Sequence, residues 1–307
     1  MNKGFIPVML TPFKSNGEVD YDGLTRLTEH YLQAGAKGLF ANCLSSEMYE
    51  LSEFERLNVV NHVVKVAKNT VPVVATGTFS TSLQQQADFI KKIYDTGTQA
   101  VIIITSMIAD RHESDEIFDQ RVFDLLDHTQ NIPLGFYECP VPYKRLISAA
   151  QLKKFIETGR VTYHKDTCLD LAQVQSKVNA GIGYDFGLYD AYMVNSIASM
   201  KAGAAGLSCI QGNYFPKLVV WLCDNHDNAD MAVEVEQVHQ FFVRHMDVMH
   251  ECYPITAKYC LQKQGLDITT VVRDKNSVFS SEIKAQMDIL FDEYQVLKDS
   301  LELELIV

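Results

Sequence analysis

Short runs of apolar and β-branched residues recur along the first two thirds of the chain, with apolar residues at helical spacing between them. Helical segments such as "DGLTRLTEHYLQAG" and "SEFERLNVVNHVVKVAKN" begin near Asp or Ser and end on Gly or Asn. The runs lie at 5–10, 38–43, 71–77, 100–105, 132–137, 161–165, 182–187 and 206–210. We therefore predict eight strands that alternate with helices, in units of about 20 to 35 residues.

Eight βα units of this size close most naturally into a (βα)8 barrel, which we predict for residues 1–215. An open, doubly wound sheet competes, but the first turn carries no dinucleotide-binding fingerprint. After residue 215 the strand pattern stops, and amphipathic patterns predict helices at 215–226, 229–250, 254–264 and 280–302. We expect residues 216–307 to form a helical region packed on the barrel, with apolar stripes that could also face a partner subunit.

Charge, targeting signals and cysteine content limit the function and the location. The 307 residues include 27 Lys and Arg against 39 Asp and Glu, a formal net charge of −12, which argues against binding to nucleic acid or an anionic membrane. Pro7 and Pro12 come too early for a signal peptide, and no apolar run approaches membrane-spanning length. Seven cysteines without a Cys-x-x-Cys pair or zinc-ligand spacing favour reduced thiols. We expect a cytoplasmic protein that binds small molecules and no metal.

The stretch "RVTYHKDTC" at 160–168 places Lys165 at the end of the sixth predicted strand. Such a lysine is usually solvated, but in a (βα)8 barrel the C-terminal strand ends point into the mouth where active sites lie. Apolar walls there lower the pKa of a lysine, and the neutral amine attacks carbonyl groups. Tyr137 ends the neighbouring fifth strand, so its phenol could transfer protons in the same pocket. Lys165 and Tyr137 are therefore the candidate catalytic residues.

Other predicted strand ends supply the candidate substrate-binding residues. Leu44, Ser45 and Ser46 follow strand two, where the two hydroxyls and the backbone N–H groups suit a carboxylate. The remaining candidates lie at or just after strands five, seven and eight: Glu138, Gly187 and Ile210. A lysine amine, a phenol and a carboxylate-binding turn together describe a pocket for a 2-oxo acid that forms a Schiff base.

The residues beside Lys165 have structural explanations. His164 points to the opposite face of the strand, toward the helices, which favours a hydrogen-bonded structural histidine over a catalytic base. Asp166 and Thr167 are expected to cap the helix that follows.

Several motifs together resemble those of the dihydrodipicolinate synthase and N-acetylneuraminate lyase family. They are "TPF" at 11–13, "LSEFER" at 51–56, "FYECP" at 136–140, "HKDT" at 164–167 and "AGAAGLS" at 202–208. The similarity runs in register from about residue 4 to residue 216. The resemblance implies a (βα)8 barrel, class I aldolase chemistry through Lys165, Tyr137 as the proton-transferring phenol, and pyruvate or a related 2-oxo acid as donor. It further implies no metal or other cofactor, and a homo-oligomer, usually a tetramer, with a dimer as the alternative.

Some family positions differ in this chain. The turn that usually reads Gly-Thr-Thr-Gly-Glu is "CLSSE", so Leu44 replaces the hydroxyl that relays protons, and Ser46 is the candidate substitute. The strand-four motif Pro-Tyr-Tyr reads "SMI", which leaves Ile108 in place of the second tyrosine. Pro142 stands where the synthases place an arginine. These changes argue against dihydrodipicolinate synthase activity.

The sialic acid lyases also differ from this chain at the acceptor end. They carry an Asp-Glu pair after the strand-seven glycine, whereas Tyr189 and Asp190, which we expect to start the next helix, lie here. Glu138 replaces the usual asparagine. The nearby polar or cationic candidates are Lys144, Arg145, Arg111 and His112.

Three hypotheses follow. The favoured one is a Schiff-base aldolase or lyase of a 2-oxo acid with a non-standard acceptor pocket. The alternatives are a true dihydrodipicolinate synthase and a catalytically impaired 2-oxo-acid-binding protein. Retention of both Tyr137 and Lys165 argues against the last, since a mere binder needs neither.

Overall fold

Eight parallel β-strands form a barrel in this computed structural model, which describes residues 3–274 and 278–302. The strands are β1 (Gly4–Phe5), β2 (Leu39–Phe40), β3 (Val73–Thr76), β4 (Ala100–Ile104), β5 (Leu134–Tyr137), β6 (Val161–Asp166), β7 (Gly187–Asp190) and β8 (Gly206–Leu207). They pair in the order β1-β8-β7-β6-β5-β4-β3-β2. A parallel bridge between Val8 and Phe40 joins the two ends of this order and closes the sheet. The predicted (βα)8 barrel is confirmed.

Helices surround the barrel and continue beyond it. In the described part of the chain they are α1 (Tyr21–Ala34), α2 (Glu53–Ala67), α3 (Leu83–Tyr94), α4 (Asp115–His128), α5 (Ala149–Ile156), α6 (Leu171–Ala180), α7 (Ser196–Lys201), α8 (Pro216–Asn225), α9 (Ala232–Arg244), α10 (Met246–His250), α11 (Ile255–Lys263) and α12 (Ser281–Ser300). Side-chain caps fix several starts; Ser52 forms a capping box with Glu55 at α2, and Ser148 forms one with Gln151 at α5. None of the helices in the described ranges is long and apolar enough to cross a membrane.

Strand alternation decides which side chains fill the barrel. Tyr163 and Tyr189 pack in the interior, with ring centres 4.9 Å apart in a stacked arrangement. Lys165, two residues after Tyr163, faces the same side and is the register partner of Tyr137 on one neighbour and Tyr189 on the other. His164 lies on the opposite face, fully buried beneath the helices, as predicted. The two aromatic rings form a floor below the Lys165 amine.

The seventh strand differs from its prediction at 182–187. Helix α6 ends at Ala180, and the next residues form a turn in which Ile182 is 71% exposed. Strand β7 therefore begins at Gly187, and Tyr189 and Asp190 belong to it; the expectation that they start a helix is wrong. The apolar residues of "IGYDFG" look like a buried strand, although this turn exposes Ile182 to solvent.

The helix after β6 also starts later than predicted. Asp166 is the last residue of β6, and the cap of α6 is Asp170, whose carboxylate accepts the N–H groups of Ala172 and Gln173. The expectation that Asp166 and Thr167 cap this helix is therefore wrong. Asp166 instead belongs to a buried ionic cluster described below.

The chain after residue 215 packs on the barrel. Helix α8 contacts the barrel's first helix, where Val220 leaves just enough room for Gly35. Farther along, the ring of Tyr294 in α12 stacks on Phe215 with centres 3.9 Å apart. The Tyr214 hydroxyl donates to the carbonyl of Met249 in α10 at 2.5 Å. Helices α8, α10 and α12 thus pack against the barrel and the segment that follows β8, and the division of the chain at residue 215 stays a proposal.

Candidate active site

A cavity of about 680 Å³ opens at the C-terminal ends of the strands. Most of its wall is apolar, and it receives side chains from the barrel and from the C-terminal helices. The predicted site residues in its wall are Leu44, Ser45, Tyr137, Lys165 and Ile210. Ser46, Glu138 and Gly187 do not line it.

Lys165 is the buried amine of this cavity. Its side chain is 4% exposed, and Nζ lies 4.3 Å from the centre of the Tyr137 ring. Burial lowers the pKa of Lys165, and the nearby Cys43 and Cys139 thiols oppose that shift only in part. No carboxylate in residues 3–274 and 278–302 forms an ion pair with this amine. The site therefore shifts the amine toward its neutral form, the form that attacks carbonyl groups.

Tyr137 ends β5 directly beside Lys165. The ring is buried, and its edge packs against Phe40, with ring centres 5.8 Å apart. Burial raises the pKa of the Tyr137 phenol well above its usual value, and the neighbouring Cys139 and Cys43 thiols add to the shift. The hydroxyl therefore stays protonated at rest and can give a proton to a group that is losing a hydroxide.

The two serines of the turn at 44–46 have different surroundings. The Ser46 hydroxyl is fully buried, lies 2.7 Å from the Met9 carbonyl, to which it donates, and accepts the N–H of Cys43 at 3.1 Å. It holds the turn against the segment that follows β1, so Ser46 is not available as a substitute relay. Ser45 lines the cavity, and Leu44 adds apolar wall.

Glu138 points away from the cavity, contrary to its predicted role. Its Oε1 lies 2.6 Å from the Lys177 ammonium and also accepts the N–H of Ile147 at 3.0 Å. Its Oε2 accepts the N–H of Thr167 at 3.1 Å. Because Tyr137 faces the barrel interior, the next residue faces the helices. The Glu138 carboxylate therefore stabilises β5 and β6 on the side that faces the helices.

A buried ionic cluster surrounds Glu138. Lys177 Nζ is also 2.6 Å from Asp166 Oδ2, and His164 Nε2 is 3.5 Å from Glu138 and 3.6 Å from Asp166. Burial disfavours every charge here, but attraction between the four groups outweighs it. It lowers the pKa of Glu138 and Asp166 and raises the pKa of Lys177 and His164. The cluster holds the strands that carry Tyr137 and Lys165.

Three members of this cluster also have the spacing of a metal site. Ligand atoms of Glu138, His164 and Asp166 lie within 4.8 Å of one another. The Lys177 ammonium, at 2.6 Å from both carboxylates, already supplies the positive charge that a metal ion would bring. The arrangement is therefore a structural ion cluster.

Gly187 serves packing within the barrel. It begins β7 opposite Tyr163, well below Lys165 in the register. A Cβ atom at this position would lie 3.0 Å from the Tyr189 ring and 3.1 Å from Ala205. The glycine leaves space for the aromatic floor and does not reach the cavity.

The cationic candidates at the acceptor end are mostly directed elsewhere. Arg145 reaches the start of α4 and pairs with Asp115 at 2.8 Å, and Arg111 lies over the Tyr143 ring. Lys144 does line the cavity, where its Nζ donates to the Thr167 carbonyl at 2.8 Å. Among the described residues no arginine lines the cavity.

The C-terminal helices contribute cavity residues that the sequence analysis missed. They are Met246, Asp247, His250, Tyr253 and Pro254. A buried ion pair between Lys258 and Glu47, 3.1 Å apart, fastens this region to the loop after β2. The N–H of Arg273 also donates to Glu47, at 2.6 Å. No local pattern marks these residues, because their position depends on packing over more than two hundred residues.

The motifs and this geometry agree with comparisons to known proteins. A sequence model of the Dihydrodipicolinate synthetase family matches residues 1–292. The chain belongs to this family. The 4-hydroxy-tetrahydrodipicolinate synthase of Ruegeria pomeroyi is 27% identical over 288 residues, 94% of this chain and 97% of the relative. That of Methanococcus maripaludis strain C6 is 27% identical over 266 residues, 86% and 89% of the two chains.

Solved structures show the same fold. A prophage protein of the dihydrodipicolinic acid synthase family from E. coli K12, in complex with pyruvate, has a TM-score of 0.85 at 20% identity, covering 95% of this chain and 98% of its own. The chloride-inhibited dihydrodipicolinate synthase from Acinetobacter baumannii, complexed with pyruvate, also has a TM-score of 0.85 at 20% identity, covering 96% and 99%. The protein is therefore a lyase of the dihydrodipicolinate synthase and N-acetylneuraminate lyase type, with that family's aldolase fold.

Proposed function

We propose that the protein is a class I aldolase or lyase that joins Lys165 to a 2-oxo acid, with pyruvate as donor, through a Schiff base. The observation that carries this proposal is the buried Lys165 amine, 4.3 Å from the Tyr137 ring centre at the base of an open cavity. Lys165 has no carboxylate partner among the described residues, and a lysine in such an apolar site is suited to nucleophilic attack.

The reaction starts with attack of the neutral Lys165 amine on the ketone carbon, which gives a carbinolamine. This intermediate loses its hydroxyl as water when Tyr137 supplies a proton, and an imine results. The Tyr137 phenolate left by this step takes a proton from the methyl carbon, which gives an enamine. The enamine carbon attacks an aldehyde acceptor and forms the new carbon–carbon bond, and the resulting alkoxide takes the proton back from Tyr137. Water then hydrolyses the imine, which releases the product and frees the Lys165 amine. Cleavage is the reverse, with a proton leaving the acceptor hydroxyl for Tyr137.

The donor end of the cavity suits a small 2-oxo acid. Ser45 offers a hydroxyl to the carboxylate, and Ile210 and Leu44 confine the rest of the molecule. Two proteins of the same fold were solved with pyruvate, which supports pyruvate as the donor.

The acceptor end favours an aldehyde that carries no carboxylate. Apolar side chains dominate the cavity wall, and the acidic residues Glu50, Asp247 and Asp274 also line it. An anionic acceptor would meet these three acids. Against them stands the Lys144 ammonium, which already donates to the Thr167 carbonyl, and no guanidinium among the described residues. The proposed acceptor is therefore an uncharged aldehyde with an apolar body.

Dihydrodipicolinate synthesis is the second candidate, since the curated relatives carry that name. The residues argue against it. Leu44 cannot relay a proton, and Ile108 is an apolar residue that does not line the cavity. Pro142 stands where the synthases have an arginine.

The test of the proposed function is reductive trapping with borohydride and a panel of 2-oxo acids, followed by mass measurement of the intact protein. We expect a covalent adduct with pyruvate and weaker labelling with longer 2-oxo acids. Absence of an adduct with every 2-oxo acid would contradict the proposal and favour the binding-protein alternative.

We also propose that the protein forms a homo-oligomer, tetramer or dimer, in the cytoplasm. Val233, Ile289 and Val296 expose apolar side chains on α9 and α12, which supports burial against another copy. All seven cysteines are free thiols, which agrees with a reducing compartment. Sedimentation velocity would report the number of subunits.

A further inference from the structure

Tyr253 enters the cavity from the C-terminal region, in the turn between α10 and α11. Its ring forms part of the same wall as Ser45, Tyr137 and Lys165. Ser45 and Tyr253 thus bring two hydroxyl groups to one cavity. A second phenol therefore faces the donor end of the cavity, beside the position where Leu44 brings no hydroxyl.

A buried asparagine fixes the direction of the Tyr253 hydrogen bond. Asn213 Nδ2 donates to the Tyr253 oxygen at 2.5 Å and to the Val8 carbonyl at 2.8 Å. A carbonyl oxygen can only accept a hydrogen bond, so the Asn213 amide must turn its nitrogen, and not its oxygen, toward Val8 and Tyr253. Asn213 Oδ1 accepts the Tyr31 hydroxyl at 2.6 Å, which agrees with this orientation. Asn213 and Tyr31 are both fully buried, so water does not compete.

The proton of Tyr253 must therefore point away from Asn213. Both amide protons of Asn213 are used, and the Tyr253 oxygen already accepts one of them. The free donor direction is toward Ser45 and the cavity. Burial raises the pKa of Tyr253, against smaller opposing effects of Ser45 and Asn213, so the phenol keeps its proton. The result is an oriented neutral donor.

We propose that Tyr253 binds the carboxylate of the 2-oxo acid substrate by donating a hydrogen bond beside Ser45, an inference that rests on the proposed function. The carboxylate needs donors, and within the described residues the cavity offers it no arginine. A role in proton relay is less suitable. The hydrogen bonds run from Tyr31 through the Asn213 amide to Tyr253, and an amide cannot pass a proton onward. The direction set by Tyr31 and Asn213 makes the phenol a donor before substrate arrives.

The experiment compares wild type with Tyr253→Phe by borohydride trapping over a range of pyruvate concentrations. We expect the half-saturating pyruvate concentration to rise by about 10- to 100-fold, the range for a lost hydrogen bond to a charged group. The maximal rate of trapping should change only slightly. Tyr184→Phe is the matched control, since Tyr184 is an exposed phenol outside the cavity wall, and its half-saturating concentration should stay at the wild-type value.

Hydroxyacetone, a ketone without a carboxylate, separates carboxylate binding from general damage to the site. We expect Tyr253→Phe to label with hydroxyacetone as wild type does. Equal losses with pyruvate and hydroxyacetone, an unchanged pyruvate dependence, or a lower maximal rate at unchanged half-saturation would each overturn this inference while leaving Lys165 as the nucleophile. Failure of wild type to label with pyruvate would instead overturn the proposed function and this inference with it.

Discussion

Lys165 Nζ lies 4.3 Å from the centre of the Tyr137 ring because the two residues are register partners at the ends of β6 and β5. The pairing places an amine whose pKa burial lowers beside a phenol whose pKa burial raises. One group is suited to attack a carbonyl, and the other is suited to donate a proton.

Tyr137→Phe tests the second role. The substitution keeps the ring and removes the hydroxyl, so packing against Phe40 should persist. We expect turnover of the true substrate to fall by about 100- to 10,000-fold, the usual contribution of general acid-base catalysis. The variant should remain folded and should still be trapped by borohydride at long times. Turnover within a few-fold of wild type would make the phenol structural.

The pH dependence of trapping reports the state of Lys165. Only the neutral amine attacks, so the trapping rate rises as pH increases through the pKa and then levels off. Because burial lowers this pKa, we expect the trapping rate to level off at a pH below the usual lysine pKa of about 10.4. Cyanoborohydride trapping over a pH series measures it. If the trapping rate instead keeps rising until the pH reaches the usual lysine pKa, the cavity does not desolvate the amine.

The ionic cluster behind the strands should control stability. Lys177→Met leaves the buried carboxylates of Glu138 and Asp166 with too little positive charge, which typically costs about 3 to 5 kcal/mol in the free energy of unfolding. Adding Glu138→Gln removes one of those charges, so the double variant should be more stable than Lys177→Met alone. Urea unfolding measures both. The ion pair of the exposed Lys154 with Asp119 provides the control, since Lys154→Met should change the free energy of unfolding much less.

Glu138→Gln by itself tests the correction to the sequence prediction. Because the carboxylate faces the helices, the variant should show the wild-type half-saturating concentration of pyruvate. A large rise in this concentration would show that Glu138 takes part in substrate binding.

Aspartate semialdehyde tests the alternative function, since the family resemblance implies it as the second substrate of a synthase. We expect turnover with pyruvate and this aldehyde below the ordinary enzyme range of about 1 to 1,000 per second. The reason is that Leu44, Ile108 and Pro142 replace the relay hydroxyl, the second phenol and the arginine. Turnover within that range would establish the synthase.

Local patterns predicted the barrel and the center of its site because both depend on periodicity. Alternation along β6 placed Lys165 inside and His164 outside, and the strand ends identified Tyr137 and Ser45. The same alternation, applied one residue past Tyr137, would have directed Glu138 outward. In the family pattern Glu138 stands at an asparagine position. The buried ammonium of Lys177, with which it pairs, explains why a carboxylate is present there.

Other features depend on contacts that no local pattern encodes. The apolar residues before Gly187 predict a strand that ends at this glycine, but they form an exposed turn and the strand begins there. Tyr253 lies far from Ser45 in sequence, and only the packing of the C-terminal helices brings the two together. The turn sequence makes Ser46 the candidate substitute for the relay hydroxyl, but its hydroxyl donates to the Met9 carbonyl after β1.

The most direct measurement of the central claim is the location of the borohydride adduct formed with pyruvate. Peptide mass mapping should find the added mass on Lys165 in wild type and in the control Lys144→Arg, whose lysine also lines the cavity. Lys165→Ala and Lys165→Arg should give no adduct, because neither side chain offers a primary amine. An adduct that persists in Lys165→Ala, or that maps to another lysine in wild type, would contradict the account.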